Sequence, residues 1–188
     1  MFLFVGLGNP TPDSQNNRHN IGFKVIDAIN QKYGLSKQKP KFKGLLTTGI
    51  IGKEKVYAIK PLTFMNNSGL CIRELIEYFK MDAEDVIVFH DDLDVDIGKI
   101  KTKFGGSSAG HNGVASIDKF IGKDYSRVRI GIGKPNPKMS VSDYVLNDFN
   151  DEEKDEIKKI TENIITSLSI LIDKKLELFS STVNNRWV

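Results

Sequence analysis

The sequence predicts a single three-layer α/β/α domain with a twisted mixed sheet, covering residues 1–188. Three observations carry that expectation. Apolar strand-like runs alternate with stretches of helical rhythm along the chain, the pattern that lays helices on both faces of a largely parallel sheet. A length of 188 residues buries about two thirds of the unfolded surface in one core without staples. No repeat, low-complexity tract or linker composition interrupts the chain.

The elements follow in order. Residues 2–7, Phe-Leu-Phe-Val-Gly-Leu, read as a buried first strand. Residues 20–33 place Ile21, Val25, Ala28 and Ile29 on one helical face, with Gly34 as the stop. Residues 45–51 and 55–59 are strand-like around Gly52-Lys53-Glu54 and predict an antiparallel hairpin. Residues 68–79 carry Leu70, Ile72, Leu75, Ile76 and Phe79 in helical rhythm, and Val86-Ile87-Val88-Phe89 is an apolar run suited to a central strand. Residues 97–104 predict a strand, 112–121 a helix and 127–132 a strand ending at Gly133. Residues 151–173 open with acids and close on Lys174 and Lys175, the order a helix dipole favours, and predict one packed C-terminal helix.

Composition excludes several classes. Cys71 is the one cysteine, so neither an intramolecular disulfide nor a thiolate metal cluster is expected, and a reducing compartment fits. The opening MFLFVGLGNP lacks a basic leader region and runs into a Gly/Pro turn, and no run approaches the roughly 20 apolar residues of a membrane span. A cytoplasmic protein without membrane association is expected. The net charge of +3 is too small to announce nucleic acid, but it is segregated. Lys37, Lys39, Lys41 and Lys43 form one group, which reads as a solvated face or a binding patch. Lys99, Lys101 and Lys103, then Arg127, Arg129, Lys134 and Lys138, flank a glycine-rich segment.

Ligands of open α/β sheets gather beyond the carboxyl ends of the strands. Asn9, the run His90-Asp91-Asp92 and the glycine-rich residues 105–113 all follow predicted strands, so polar groups converge on one edge. Familiar motifs fail there for physical reasons. Gly6-Leu7-Gly8-Asn9-Pro10 lacks the third glycine of a dinucleotide loop, and Pro10 removes an N–H that a pyrophosphate needs. Residues 105–110 have P-loop spacing, but His111 and Asn112 stand where Lys and Ser or Thr must be. Gly106-Ser107-Ser108-Ala109-Gly110 matches a nucleophile elbow, yet no histidine lies well downstream of it. Asp92, Asp94 and Asp96 lack the glycine and terminal glutamate of a calcium loop. His90-Asp91-Asp92 has no defined metal-ligand spacing, and neither metal nor cofactor is expected.

Asn9, His19, Asn66, Asp91, His111 and Asn112 remain, a set rich in amides with one His/Asp pair. A neutral imidazole takes a proton from water near neutral pH, a carboxylate on its other nitrogen fixes the tautomer, and amides donate to a carbonyl oxygen that gains charge. Ester hydrolysis by water fits. Each residue also has a plainer reading: Asn9 before proline suits a turn, Asn66 a cap for the helix at 68, and His19 a helix-start histidine.

Four segments resemble bacterial-type peptidyl-tRNA hydrolases: Gly6-Leu7-Gly8-Asn9-Pro10 with Arg18-His19-Asn20-Ile21-Gly22-Phe23; Lys60-Pro61-Leu62-Thr63-Phe64-Met65-Asn66-Asn67-Ser68-Gly69; His90-Asp91-Asp92-Leu93-Asp94 running to Lys103; and Gly105-Gly106 with Gly110-His111-Asn112-Gly113. Arg127-Val128-Arg129-Ile130-Gly131-Ile132-Gly133 matches a fifth, and together they span the chain. The resemblance implies hydrolysis of the ester joining peptide to tRNA, with peptidyl-tRNA as partner, no obligate protein partner and a monomeric enzyme. It implies His19 as general base, Asp91 holding it in its basic form and Asn9 sensing the blocked amino end. Ser14, Phe64, Met65, Asn66, His111 and Asn112 would bind substrate, with Asn66 and Asn112 on the 3′ end and peptide backbone. Lys103 and Arg129 would grip the 5′ phosphate. Thr11 stands where the family usually has glycine, Ser14 replaces a usual tyrosine and Asn17 a usual threonine, which implies a shifted loop without an aromatic stacking face. Two alternatives stay open: a non-catalytic RNA-binding module of the same fold, and a peptidase or small-molecule esterase on a related scaffold.

Overall fold

The structure, a computed structural model, describes residues 1–186. Its centre is a seven-stranded sheet in the order β2-β3-β4-β1-β5-β7-β6. The strands are β1 (Phe2–Gly6), β2 (Lys39–Lys41), β3 (Gly44–Ile51), β4 (Glu54–Pro61), β5 (Val86–Asp92), β6 (Ile100–Phe104) and β7 (Ser126–Gly131). β4, β1, β5 and β7 run parallel. β3 and β2 close one side antiparallel and β6 the other. The hairpin read at 45–59 is the β3–β4 pair.

The helices are α1 (Ile21–Tyr33), α2 (Ser68–Phe79), α3 (Asn112–Ile121), α4 (Val141–Leu146), α5 (Asp151–Thr166), α6 (Leu168–Ile172) and α7 (Leu176–Asn185). They divide between the two sheet faces, as the alternating strand residues require. Phe4, Ile87, Phe89, Val128 and Ile130 face a core built with α1, α5, α6 and α7. Leu3, Val5, Val86 and Val88 face a second core built with α2 and α3. The mixed three-layer α/β architecture expected from the sequence is the one observed.

Three expectations need correction. Residues 151–173 are not one helix: the chain turns at the buried Ser167, whose N–H bonds to Ile164 rather than to a carbonyl four residues back, and α7 is a further helix beyond it. The strand expected from 97 starts at Ile100, because residues 96–99 form a turn closed by the Lys99 N–H on the Asp96 carbonyl. The short elements β2 and α4 went unread, being three and six residues long.

One contact places the helix layer over the strand ends. Gly6 ends β1 and Gly22 opens α1, and they meet backbone to backbone: a Cβ on Gly22 would strike the Leu7 nitrogen and the Phe89 carbonyl oxygen. A Cβ on Gly6 would strike the Gly22 carbonyl. The turn just before Gly22, a 3₁₀ turn at Arg18–Asn20, is thereby set over the ends of β1 and β5.

Candidate active site

A cleft of about 840 Å³ opens at the carboxyl edge of the sheet. Asn9, Ser14, His19, Phe64, Met65, Asn66, Asp91, His111 and Asn112 all line it; Lys103 and Arg129 do not. One wall comes from the 3₁₀ turn Met65–Asn67 and the loop Ser108–Asn112, the other from Thr11, Ser14 and α4.

Asp91 lies at the end of β5, 3% exposed, with both oxygens engaged. Oδ2 is 2.8 Å from His19 Nδ1 and Oδ1 is 2.8 Å from His111 Nε2. His111 caps α3, its Nδ1 accepting the Gly113 and Val114 N–H groups at 3.1 and 3.3 Å. With Nδ1 accepting from the backbone, His111 turns Nε2 to Asp91 as the donor. Burial by itself would raise the Asp91 carboxyl, but its two imidazole partners outweigh burial and hold it well below the usual range. Ionised Asp91 therefore takes the Nδ1–H of His19 and leaves His19 Nε2 as the free lone pair. Burial of His19 disfavours its charged form, yet the charge and hydrogen bond of Asp91 prevail and raise its pKa above 6.5. His19 is thus a base strengthened by its partner.

Asn9 is held from three sides. Its backbone N–H donates to Asn20 Oδ1 (3.0 Å) and its carbonyl accepts Asn20 Nδ2 (2.9 Å). Its Oδ1 accepts the Met65 N–H at 2.9 Å, which commits the oxygen and leaves the NH₂ group as a donor toward the cleft. Asn66 and Asn112 are exposed on the cleft wall, so their amides meet solvent or ligand. The cap of α2 is Asn67 rather than Asn66, which removes the capping reading of Asn66. Phe64 is 54% exposed at φ 63°, ψ 160°, a region that side-chain-bearing residues occupy at a cost of about 1–3 kcal/mol. The strain holds an apolar ring out beside the cleft.

Sequence comparison places these residues in context. The profile of the peptidyl-tRNA hydrolase family matches residues 3–187. The chain belongs to the peptidyl-tRNA hydrolase family. The peptidyl-tRNA hydrolase of Pelagibacter ubique is 77% identical over 186 residues, covering 99% of this chain and 100% of that one. That of Nitrobacter winogradskyi is 41% identical, covering 98% and 91%. The crystal structure of the Acinetobacter baumannii peptidyl-tRNA hydrolase superposes with a TM-score of 0.92 at 33% identity, covering 98% of this chain and 95% of that one.

In this peptidyl-tRNA hydrolase chain the basic pair sits beside the cleft on the sheet itself. Arg129 on β7 stands opposite Lys101 on β6, and Lys103 opposite Arg127, so Lys103 and Arg129 are diagonal neighbours on one face. Arg129 Nε donates to Asp92 Oδ2 at 2.8 Å. Burial pushes the Asp92 carboxyl up, but this bond prevails and its pKa is lowered. The Nη groups of Arg129 remain for another anion. Arg127, grouped by sequence with the phosphate contacts, is buried and donates from Nη2 to the Gly105 and Ser107 carbonyls at 2.9 and 3.1 Å. It pins the loop that carries His111.

Thr11 and Ser14, two of the three departures from the peptidyl-tRNA hydrolase pattern, hydrogen-bond through their hydroxyls at 2.7 Å at the cleft rim. His90 is fully enclosed: burial, then the neighbouring His111 and Arg127, push its pKa down to about 3, and it stays neutral. His19, Asp91 and His111 offer ligand atoms within 4.8 Å of one another. Those atoms are already paired at hydrogen-bond distance, and a cation would have to break both pairs. His90, Asp91 and Asp92 alternate across the strand, so the three do not converge. Sequence reading missed the roles of Asn20 and Arg127 and the α4 wall residues Val141, Ser142, Val145 and Leu146; Asn20 and Arg127 had a signal in the matching blocks that contain them, and the wall had none.

Proposed function

We propose that the chain cleaves the ester between peptide and tRNA in peptidyl-tRNA, with water activated by His19. The observation that carries the assignment is the chain His111–Asp91–His19, which leaves His19 Nε2 unpaired in the cleft. A water bonded to Nε2 loses its proton to the imidazole as its oxygen attacks the ester carbonyl, and Asp91 stabilises the imidazolium. The carbonyl oxygen gains charge. The amide donors of Asn9, Asn66 and Asn112 are positioned on the cleft to receive it or to hold the acyl amide, a contribution of about 3–4 kcal/mol for a well-aimed donor. The imidazolium then returns its proton to the departing ribose oxygen, and tRNA and peptide acid are released.

The remaining assignments follow from placement. Phe64, Met65 and Ser14 line the substrate cleft, Asn9 is rigid enough to distinguish a blocked from a free amino end, and Lys103 with Arg129 takes a tRNA phosphate outside the cleft. Phosphate contacts carry no base information, which suits an enzyme acting on many tRNAs. One chain supplies every residue named, in keeping with a single-domain monomer. No helix among the described residues is long and apolar enough to cross a membrane, and we place the enzyme in the cytoplasm.

Release of N-acylated amino acid from tRNA, with unblocked aminoacyl-tRNA as control, tests the reading. His19→Ala should lower kcat by roughly 10²–10⁴. Full activity in that variant, or an inactive wild type, would sink it.

A further inference from the structure

Arg18 precedes the proposed base in sequence but makes no contact with it in the hydrogen-bond network. It is 8% exposed. Nη1 donates to the carbonyls of Tyr144 (3.2 Å) and Asn147 (3.4 Å), at the carboxyl end of α4. Nη2 donates to Glu153 Oε2 at 2.8 Å, and that oxygen also accepts the Asn150 N–H in the capping box of α5. The guanidinium lies 4.2 Å from the Tyr144 ring centroid. The Arg18 N–H donates to the Asn147 carbonyl, and Asn17 forms a bridge to Asp148. A six-residue helix has too few internal hydrogen bonds to hold its place alone. Its cleft side carries Val141, Ser142, Val145 and Leu146.

We infer that Arg18 is a positioning residue that fastens the α4 wall of the cleft to the turn carrying His19. The cation answers the carboxyl-end dipole of α4, the fork spans two elements at once, and the adjoining residue is the base. Cleft width on the α4 side is thereby fixed relative to His19 Nε2. His19 itself is oriented by Asp91, so loss of the fastening changes substrate holding rather than proton transfer. The inference rests on the ester-hydrolase reading for its kinetic arm alone.

Two variants test it: Arg18→Lys, which keeps the charge without the planar fork, and Glu153→Gln, which keeps the capping oxygen but removes its charge. Each is assayed for kcat and KM on N-acylated aminoacyl-tRNA and for amide hydrogen exchange. The expected result is a KM raised by about 10-fold to 100-fold in Arg18→Lys, with kcat and the pH profile held. Glu153→Gln should shift KM the same way by less, and residues 141–146 should exchange faster in both while α1 is unchanged. A merely structural role lowers the folded fraction, which cuts apparent kcat at constant KM; that outcome overturns the inference, as does unchanged exchange at 141–146. If Arg18→Lys does not fold, Glu153→Gln decides alone by the same criteria. An inactive wild type would refute the hydrolase reading, and the exchange data would still judge the fastening.

Discussion

Asp91 shows how one carboxylate can set two rings. His111 is locked by the backbone of α3, and Asp91 passes that constraint to His19. The pH dependence has a definite sign. Pairing raises the His19 pKa above 6.5, so the working neutral form appears only above that raised value, and the acid limb of kcat/KM should lie above 6.5. Asp91→Asn leaves burial as the first remaining influence, which lowers the pKa; the limb should move to lower pH while kcat falls roughly 10²-fold or more. A limb that stays put after this change would show that another group titrates. The same linkage acts on stability. His19 favours the folded state below its unfolded pKa of about 6.5, and that contribution fades as pH rises through the raised value. On the proposed mechanism, the rise in pH that frees the base is thus the one through which this increment of stability fades.

At the scale of elements, the crossing of α1 over β1 and β5 carries the site. Gly22→Ala forces a methyl into the Leu7 and Phe89 backbone. We expect a loss of about 2 kcal/mol or more, a fall in Tm of roughly 4–8 °C. A melt within a degree of wild type would mean that the crossing has slack. Legibility from sequence divides along similar lines. α1, α2 and α3 were readable because each suits a helical apolar period, and β1 and β5 because each is an unbroken apolar run buried on both faces. β2 and α4 were not, since three and six residues contain no period. The break at Ser167 was hidden because Leu168 and Leu171 continue the apolar rhythm of α5 into the same core. Within the site, His19, Asp91, Asn9, Asn66 and Asn112 were found through residue blocks, whereas the cap made by His111 and the loop clamp made by Arg127 depend on distances between segments that spacing does not encode.

The whole molecule presents its proposed substrate cleft and its basic strip as neighbours. Lys101, Lys103 and Arg129 lie on the two strands at the far side of the sheet from β2, and Lys99 sits in the turn just before β6. Arg129→Ala should weaken tRNA binding and reduce the slope of log K against log salt by about 1, with a minimal RNA-free ester cleaved as before. An unchanged slope would remove Arg129 from the phosphate contacts. The sheet also separates the two walls of the cleft. Met65 belongs to the core under α2 and α3, and Val145 to the core under α1 and α5. Substitutions that repack one core do not touch the side chains of the other, so their energetic effects combine additively. Over evolutionary time each wall is then free to drift with its own layer, and a lineage can reshape one flank of the cleft while inheriting the other intact.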